Sequence, residues 1–324
     1  MDNDKSPRAT AAALGPTPNL APVALFLFNR PDTTRKVFSA IRQARPGRLR
    51  LIADGPRPDH PEDTVLCAEA RSIVEQVDWP CELRTHFAEI NLGIKQRFDT
   101  GLNWLFSDVE EAILLEDDCI PEPVFFRFCS ELLEKYRHDE RVLSLSGNNF
   151  QFGRRRGTAS YYFSRFPYIW GWATWSRAWA IYDPRMKDWP AALASGWLER
   201  QCADDHSIRY WSYIFQKNYQ TWHNWDYAWH FSSWMRGGLH ILPNVNLVSN
   251  HGFGASATHT RQANSRFAAM RTESIPFPLV HPQTVEACLE ADDFTEETMF
   301  SGSLRQTLAR IRRLQRAHKP GEGR

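Results

Sequence analysis

Several familiar signatures are missing from this sequence of 324 residues, and each absence removes a class of protein. No Gly-x-x-x-x-Gly-Lys-Ser/Thr loop occurs, so a P-loop nucleotide site is excluded, and no Gly-x-Gly-x-x-Gly follows the first strand, so a dinucleotide fold lacks its fingerprint. His-Glu-x-x-His and Gly-x-Ser-x-Gly are absent too. The six cysteines include no Cys-x-x-Cys pair and are expected to be reduced thiols of a cytoplasmic protein. Net charge is nearly nil, with 39 Lys and Arg against 38 Asp and Glu, so no global field argues for a nucleic-acid partner. The first twenty residues are rich in Pro, Ala and Thr without an apolar secretory core. No run approaches the roughly 18 apolar residues needed to span a bilayer. Neither a secreted nor a membrane-spanning protein is expected.

What is present begins at Ala112-Ile113-Leu114-Leu115-Glu116-Asp117-Asp118, an apolar run ending in three carboxylates. It reads as a buried parallel strand, and ligands of open α/β sheets gather at the carboxyl ends of such strands. Oxygen ligands there suit Mg²⁺ or Mn²⁺, with phosphate oxygens completing the shell. A solvated acidic turn is the plainer alternative.

Around this strand the chain alternates. Strands are expected at Val23 to Phe28, Leu49 to Ala53, Cys81 to Phe87 and Val142 to Ser146. Helices follow Asn29-Arg30-Pro31-Asp32, run to about Val77, carry Ile94, Phe98, Leu102 and Leu105 on one face, and start again at Pro123. The alternation predicts an α/β fold with a mixed, mainly parallel sheet flanked by helices. After a flexible leader at 1–20, residues 21–150 form the nucleotide-binding half, 151–265 a second half, and 266–324 a C-terminal extension.

Eleven of the 13 tryptophans lie between Trp170 and Trp234. Aromatic faces pack against the C–H surface of sugar rings, which suits a carbohydrate site, although Trp222, Trp225 and Trp229 recur at helical spacing and fit a core stripe better. The extension carries an acidic block from Glu286 to Glu297 and a basic one from Arg305 to Lys319. In the latter, Leu304, Leu308, Ile311 and Leu314 line a face opposite arginines, which offers peripheral membrane contact; a solvated or docked terminal helix is the simpler reading.

With these residues assembled, the chain resembles the GT-A (Rossmann-like) glycosyltransferases, in particular the N-acetylglucosaminyltransferase I group and bacterial family-2-like transferases. The likeness extends from about Pro22 to Thr260 and is most specific at Ile113 to Asp118 followed by Pro123-Val124-Phe125-Phe126. It continues through Phe166-Pro167, Gly171-Trp172, Trp175 and Trp225-Asp226, and at Pro243 to Asn250, Gly252-Phe253-Gly254 and Thr258-His259-Thr260. The resemblance implies that Asp118 contacts a divalent cation, Mn²⁺ or Mg²⁺, and that Glu116 and Asp117 face the ribose and nearby nucleotide. It implies that Arg30 and Asp54 touch the base and its surroundings, and that Lys95 or Arg97 approaches the diphosphate. His259 is similar to a histidine brought to the metal from a carboxy-terminal loop, with a surface-loop histidine as the alternative. Asp226 matches the catalytic base, although the group has two adjacent acids where Tyr227 and Ala228 follow here; Asp204 and Asp205 are the fallback candidates.

The expected activity is metal-dependent, inverting transfer of a sugar from a nucleotide-sugar donor, a UDP-sugar foremost, to a hydroxyl of a glycan or glycolipid acceptor. Two other classes compete. A sugar-nucleotide pyrophosphorylase or nucleotidyltransferase shares the sheet and the acids but needs a Gly-rich basic loop after the first strand, which Asn29-Arg30-Pro31-Asp32 is not. A non-catalytic carbohydrate-binding protein accounts for the tryptophans and leaves the acids without a purpose.

Overall fold

A computed structural model describes residues 20–202, 204–222, 224–253 and 265–301. The leader before residue 20, His259 and the basic tail therefore lie outside the described residues. In chain order the elements of the first half are β1 (Val23–Leu27), α1 (Pro31–Ala44), β2 (Arg48–Ala53), α2 (Glu62–Arg71), β3 (Glu82–Phe87), α3 (Gly93–Phe106), β4 (Glu111–Glu116), β5 (Cys119–Pro121), α4 (Val124–Lys135) and β6 (Val142–Ser146). There follow β7 (Tyr161–Ser164), β8 (Trp172–Trp175), α5 (Ser176–Trp179), α6 (Trp189–Ala194), α7 (Trp197–Gln201), α8 (Asp205–Thr221), α9 (Trp225–Met235), β9 (Leu239–Pro243), β10 (Val248–Asn250) and α10 (Leu289–Thr295).

Eight strands form one sheet in the order β3-β2-β1-β4-β8-β6-β9-β7, while β10 pairs antiparallel with β5. Four of the seven pairings in the large sheet are parallel and three antiparallel. The result is the expected mixed, mostly parallel α/β sheet flanked by helices. Strands β7, β8 and β9 belong to this same sheet, so it runs on past residue 150.

Why the first half folds this way is plain from its burial. β1 is buried at all five positions, as a central parallel strand must be. α1 starts at Pro31, whose ring presets the helical φ, and buries Val37, Phe38 and Ile41 on one stripe. β8 runs antiparallel to both β4 and β6, which leaves β4 and β6 pointing the same way. The carboxyl ends of β1, β2, β4 and β6 thus share one edge of the sheet.

A ladder of rings ties that edge to the second half. Phe26 of β1 stacks on Phe98 of α3 with centroids 4.3 Å apart, and Phe98 stacks on Trp225 of α9 at 4.4 Å. Trp225 in turn lies 5.8 Å from Trp172 of β8. Each stacked pair is worth about 0.5–1.5 kcal/mol beyond the area it buries. The start of α9 is thereby fixed against α3 and, through it, β1, and against β8. Trp222 departs from the expected stripe: at φ 50° it ends α8 in the left-handed region, stands exposed between Lys95 and Arg185, and shares no helix with Trp225 and Trp229.

None of the six cysteines forms a disulfide. No described helix is long and apolar enough to cross a membrane.

Candidate active site

Two cavities of about 470 Å³ each open along the carboxyl edge of the sheet, and both are lined by Glu116, Ile94 and Trp170. The first is a charged cleft. Arg30, at the start of α1, bonds Asp117 Oδ1 at 3.2 Å and Asp118 Oδ2 at 2.6 Å, and Asp117 Oδ2 accepts the Phe28 backbone N–H at 3.0 Å. Burial would lower the Arg30 pKa, but the carboxylates of Asp117, Asp118 and Glu116 outweigh it and raise the value. Glu116 is pushed well above the usual carboxylate range, first by burial and then by repulsion from Asp118 and Asp117. Burial also raises Asp117, against the pull of Arg30. Asp118 is held on a second side. The loop after β10 passes so close that a Cβ on Gly252 would collide with Asp118 Oδ2, and His251 donates its backbone N–H to the Asp118 carbonyl at 2.8 Å.

The other expected nucleotide residues fare differently. Asp54 lines the cleft, but its two oxygens already accept from Gly55 N, Leu92 N, Gly93 N and Asn91 Nδ2, at 2.8–3.1 Å. Burial raises its pKa despite these donors. This carboxylate braces the end of β2 against the start of α3. Arg97 is buried in the cleft wall with an Nη 2.6 Å from His86 Nδ1, and its Nε has no partner among the described residues. Lys95 lines neither cavity; it pairs with Asp99 at 2.6 Å and lies over the Trp222 ring at 3.8 Å. Arg30 lines the cleft with its guanidinium engaged by Asp117 and Asp118.

Among the described residues no group of three His, Cys, Asp or Glu side chains forms a metal cage. The fit to a cation is of another kind. Carboxylate oxygens are the right donors for Mg²⁺ or Mn²⁺, and among the described residues the guanidinium of Arg30 is the cation that bonds Asp117 and Asp118. Asp118 suits a cation that takes most of its shell from phosphate and water.

The second cavity is an aromatic chamber whose walls include Phe150, Tyr168, Trp170, Trp211 and Trp225. The segment 166–171 forms one side and turns into β8 at Gly171, where φ is +63° and an added Cβ would press on Val248. Residues Met299 and Phe300 close another side, because the segment after α10 docks here. Two acids of the acidic block are buried in this packing: Asp292 accepts from Ser164 Oγ and Arg165 N, and Glu296 from Trp211 Nε1, while Glu286, Glu290, Asp293 and Glu297 stay exposed.

Asp226 lies in the first turn of α9 and lines the chamber. Asn218 braces the preceding turn, its Oδ1 accepting from Asn224 N at 2.9 Å and its Nδ2 donating to Asn224 O at 3.0 Å. Asp226 keeps some exposed surface, yet the surrounding rings strip enough water that burial pushes its pKa up to about 6, against the Tyr227 and Asp226 backbone N–H groups that favour the anion. The fallback acids stand elsewhere. Asp204 is the exposed N-cap of α8, accepting from His206 N and Ser207 N at 2.7 and 2.8 Å, and Asp205 is exposed in the first turn.

Sequence reasoning passed over Asn148 and His230, both buried and both lining the chamber. A signal existed for each. His230 follows Asp226 by four residues, one helical turn, and Asn148 lies two residues beyond the end of β6, on the ligand edge of the sheet.

No family model matches the sequence, and no curated protein matches it. Among solved structures, S. aureus TarS 1–349 is similar at 9% identity over 49% of this chain and 48% of that one, with a TM-score of 0.35. A UDP-glucose pyrophosphorylase complexed with UDP-glucose is similar at 9% identity over 50% of this chain and 79% of that one, with a TM-score of 0.29. The chain spans about half the length of the TarS structure it matches. Likenesses this loose carry nothing about substrate or mechanism.

Proposed function

We propose that this protein is an inverting glycosyltransferase that moves a sugar from a UDP-sugar, with Mg²⁺ or Mn²⁺, to a hydroxyl of a glycan or glycolipid. The observation that carries the reading is the junction of the two cavities at Glu116: an acid-and-arginine cleft on one side, and on the other an aromatic chamber holding a carboxylate. Nucleoside diphosphate and sugar differ in this same way, one anionic and the other a hydroxylated ring with apolar faces.

In the cleft, Asp118 would hold the cation and Arg97 would meet the anionic nucleotide from the wall. The cation, when bound, neutralises charge developing on the departing diphosphate. Arg30 exchanges its contacts with Asp117 and Asp118 for contact with the donor. In the chamber, Asp226 accepts the proton of the acceptor hydroxyl as its oxygen bonds to the anomeric carbon from the face opposite the leaving diphosphate, which inverts that carbon. A base with a pKa of about 6 is ionised at neutral pH and still accepts a proton more readily than an ordinary aspartate. The rings around it keep out water, which would otherwise hydrolyse the donor.

The test is product identity. UDP-sugars incubated with the protein, Mn²⁺ and methyl glycosides should yield free UDP and a new glycoside. If UDP-sugar and pyrophosphate gave UTP instead, and no glycoside formed, the protein would be a nucleotidyltransferase.

A further inference from the structure

Buried polar atoms are nearly always hydrogen-bonded, because leaving one unpaired costs roughly 1–3 kcal/mol. Two residues that line the aromatic chamber each carry a buried polar atom with no partner among the described residues: Asn148 its Nδ2 and His230 its Nε2. Asn148 is 1% exposed and His230 6%. Neither side chain is loosely placed. Ser146 Oγ donates to Asn148 Oδ1 at 2.8 Å, which fixes the amide and leaves its NH₂ group unused. The His230 ring is held edge to face by Trp211 and Trp234, with centroids 4.4 and 4.5 Å away. Desolvation keeps this imidazole neutral. His230 also lies one helical turn beyond Asp226, and both line the chamber.

The ligand that satisfies such a wall can be worked out from its chemistry. An apolar molecule would leave both atoms unpaired. An anion would meet Asp226 and Glu116 in the same space. A hydroxyl fits both sites, since it accepts from an amide N–H and either donates to or accepts from a neutral imidazole nitrogen. A ring bearing hydroxyls also presents C–H faces to the aromatic walls.

Resting on the transferase reading, which it deepens, we propose that the chamber binds the acceptor sugar as a neutral pyranose, with Asn148 Nδ2 donating to one of its hydroxyls and His230 Nε2 hydrogen-bonding another. The two residues select for a hydroxylated ring and seat it beside Asp226.

The full chain, with methyl β-glucopyranoside, methyl β-galactopyranoside and the methyl glycoside of N-acetylglucosamine as probes, supplies the test by saturation-transfer NMR. At least one probe should bind saturably, and Asn148→Ala and His230→Phe should each weaken it by about 3- to 10-fold, the usual worth of one neutral hydrogen bond. His230→Gln, which keeps a polar group, should recover part of the loss. In the unaltered protein the His230 ring resonance, assigned by its loss in folded His230→Gln, should move on titration, a readout that survives if Asn148→Ala or His230→Phe misfolds. No saturable binding of any probe, or binding with an unmoved His230 signal and unchanged affinity in folded variants, would overturn the proposal. UDP titrated into the same preparations separates the two readings. Glycoside binding that depends on both residues without UDP binding would keep the chamber and sink the transferase; UDP binding without such glycoside binding would do the reverse.

Discussion

The charged cleft and the aromatic chamber are equal in volume, at about 470 Å³, and share a wall, yet they treat their polar groups in opposite ways. In the cleft the carboxylates are already engaged: Arg30 bridges Asp117 and Asp118, and Asp54 is filled by four donors. In the chamber Asn148 and His230 each hold a buried atom without a partner among the described residues. A ligand that reaches the cleft carboxylates must therefore exchange one set of charged contacts for another, with Arg97 Nε the buried polar atom left unpaired beside them among the described residues, whereas one entering the chamber meets Asn148 and His230 with such atoms and no charged contact to break at either. Affinity in the cleft should respond steeply to charge and metal, and affinity in the chamber to the pattern of hydroxyls.

Mutations on either side should separate accordingly. The largest effect expected is from Asp226→Asn, which should lower sugar transfer by roughly 10²- to 10⁴-fold, the usual scale for losing a general base. Initial rates of UDP release and new glycoside measure it, and near-normal transfer by a folded mutant would remove Asp226 from the mechanism. Next, Asp118→Asn should reduce the gain in UDP affinity that Mn²⁺ confers by about 10- to 100-fold, since a ligand charge is lost while the shape is kept. Titration of UDP at several Mn²⁺ concentrations reads that coupling; an unaltered metal dependence would free Asp118 of the role. A smaller contrast divides two neighbours on α3: Arg97→Gln should weaken UDP about tenfold, the scale of one charged hydrogen bond, while Lys95→Met should change it by less than about twofold. Equal losses from both would contradict the placement of Lys95 outside the cleft.

The smallest effect is thermodynamic. The Asp226 pKa rises from 3.8 to about 6 on folding, so the folded state favours the protonated acid. Its stabilising contribution is complete below about pH 4 and fades as pH rises through about 6. Asp226→Asn should then flatten the pH dependence and make the protein more stable at pH 8 by on the order of 2 kcal/mol, seen as a melting temperature a few degrees higher. A mutant less stable than wild type at pH 8 would mark Asp226 as a structural carboxylate.

The same contrast governs what could be read from the sequence. The cleft side was legible, because buried parallel strands such as β1 and β4 are continuous apolar runs and their ends are where ligands sit. The acids Glu116, Asp117 and Asp118 followed from that rule. Their occupation by Arg30 did not, since it joins residues 87 and 88 positions apart. Lys95 and Arg97 stood as equals in the sequence, but residues two apart on a helix face nearly opposite ways, and only Arg97 reaches the cleft. The chamber side was obscure for a different reason. β8 is a four-residue strand of Trp, Ala and Thr inserted antiparallel between β4 and β6, with no apolar run to announce it. The walls come from segments as distant as Phe150, Tyr227 and Phe300, and composition shows only that aromatics are abundant. Trp222 illustrates the limit, because a left-handed residue at φ 50° breaks a spacing that otherwise looks helical.

The division of labour between the two cavities is tested most directly by titrating UDP calorimetrically into wild type and Asp226→Asn, each with Mn²⁺ and again with EDTA. Both proteins should bind UDP alike when metal is present, and both should bind it at least about tenfold more weakly in EDTA, since one ligand charge in the cleft is worth that much. Equal affinity with and without metal, or loss of UDP binding in Asp226→Asn alone, would contradict the account.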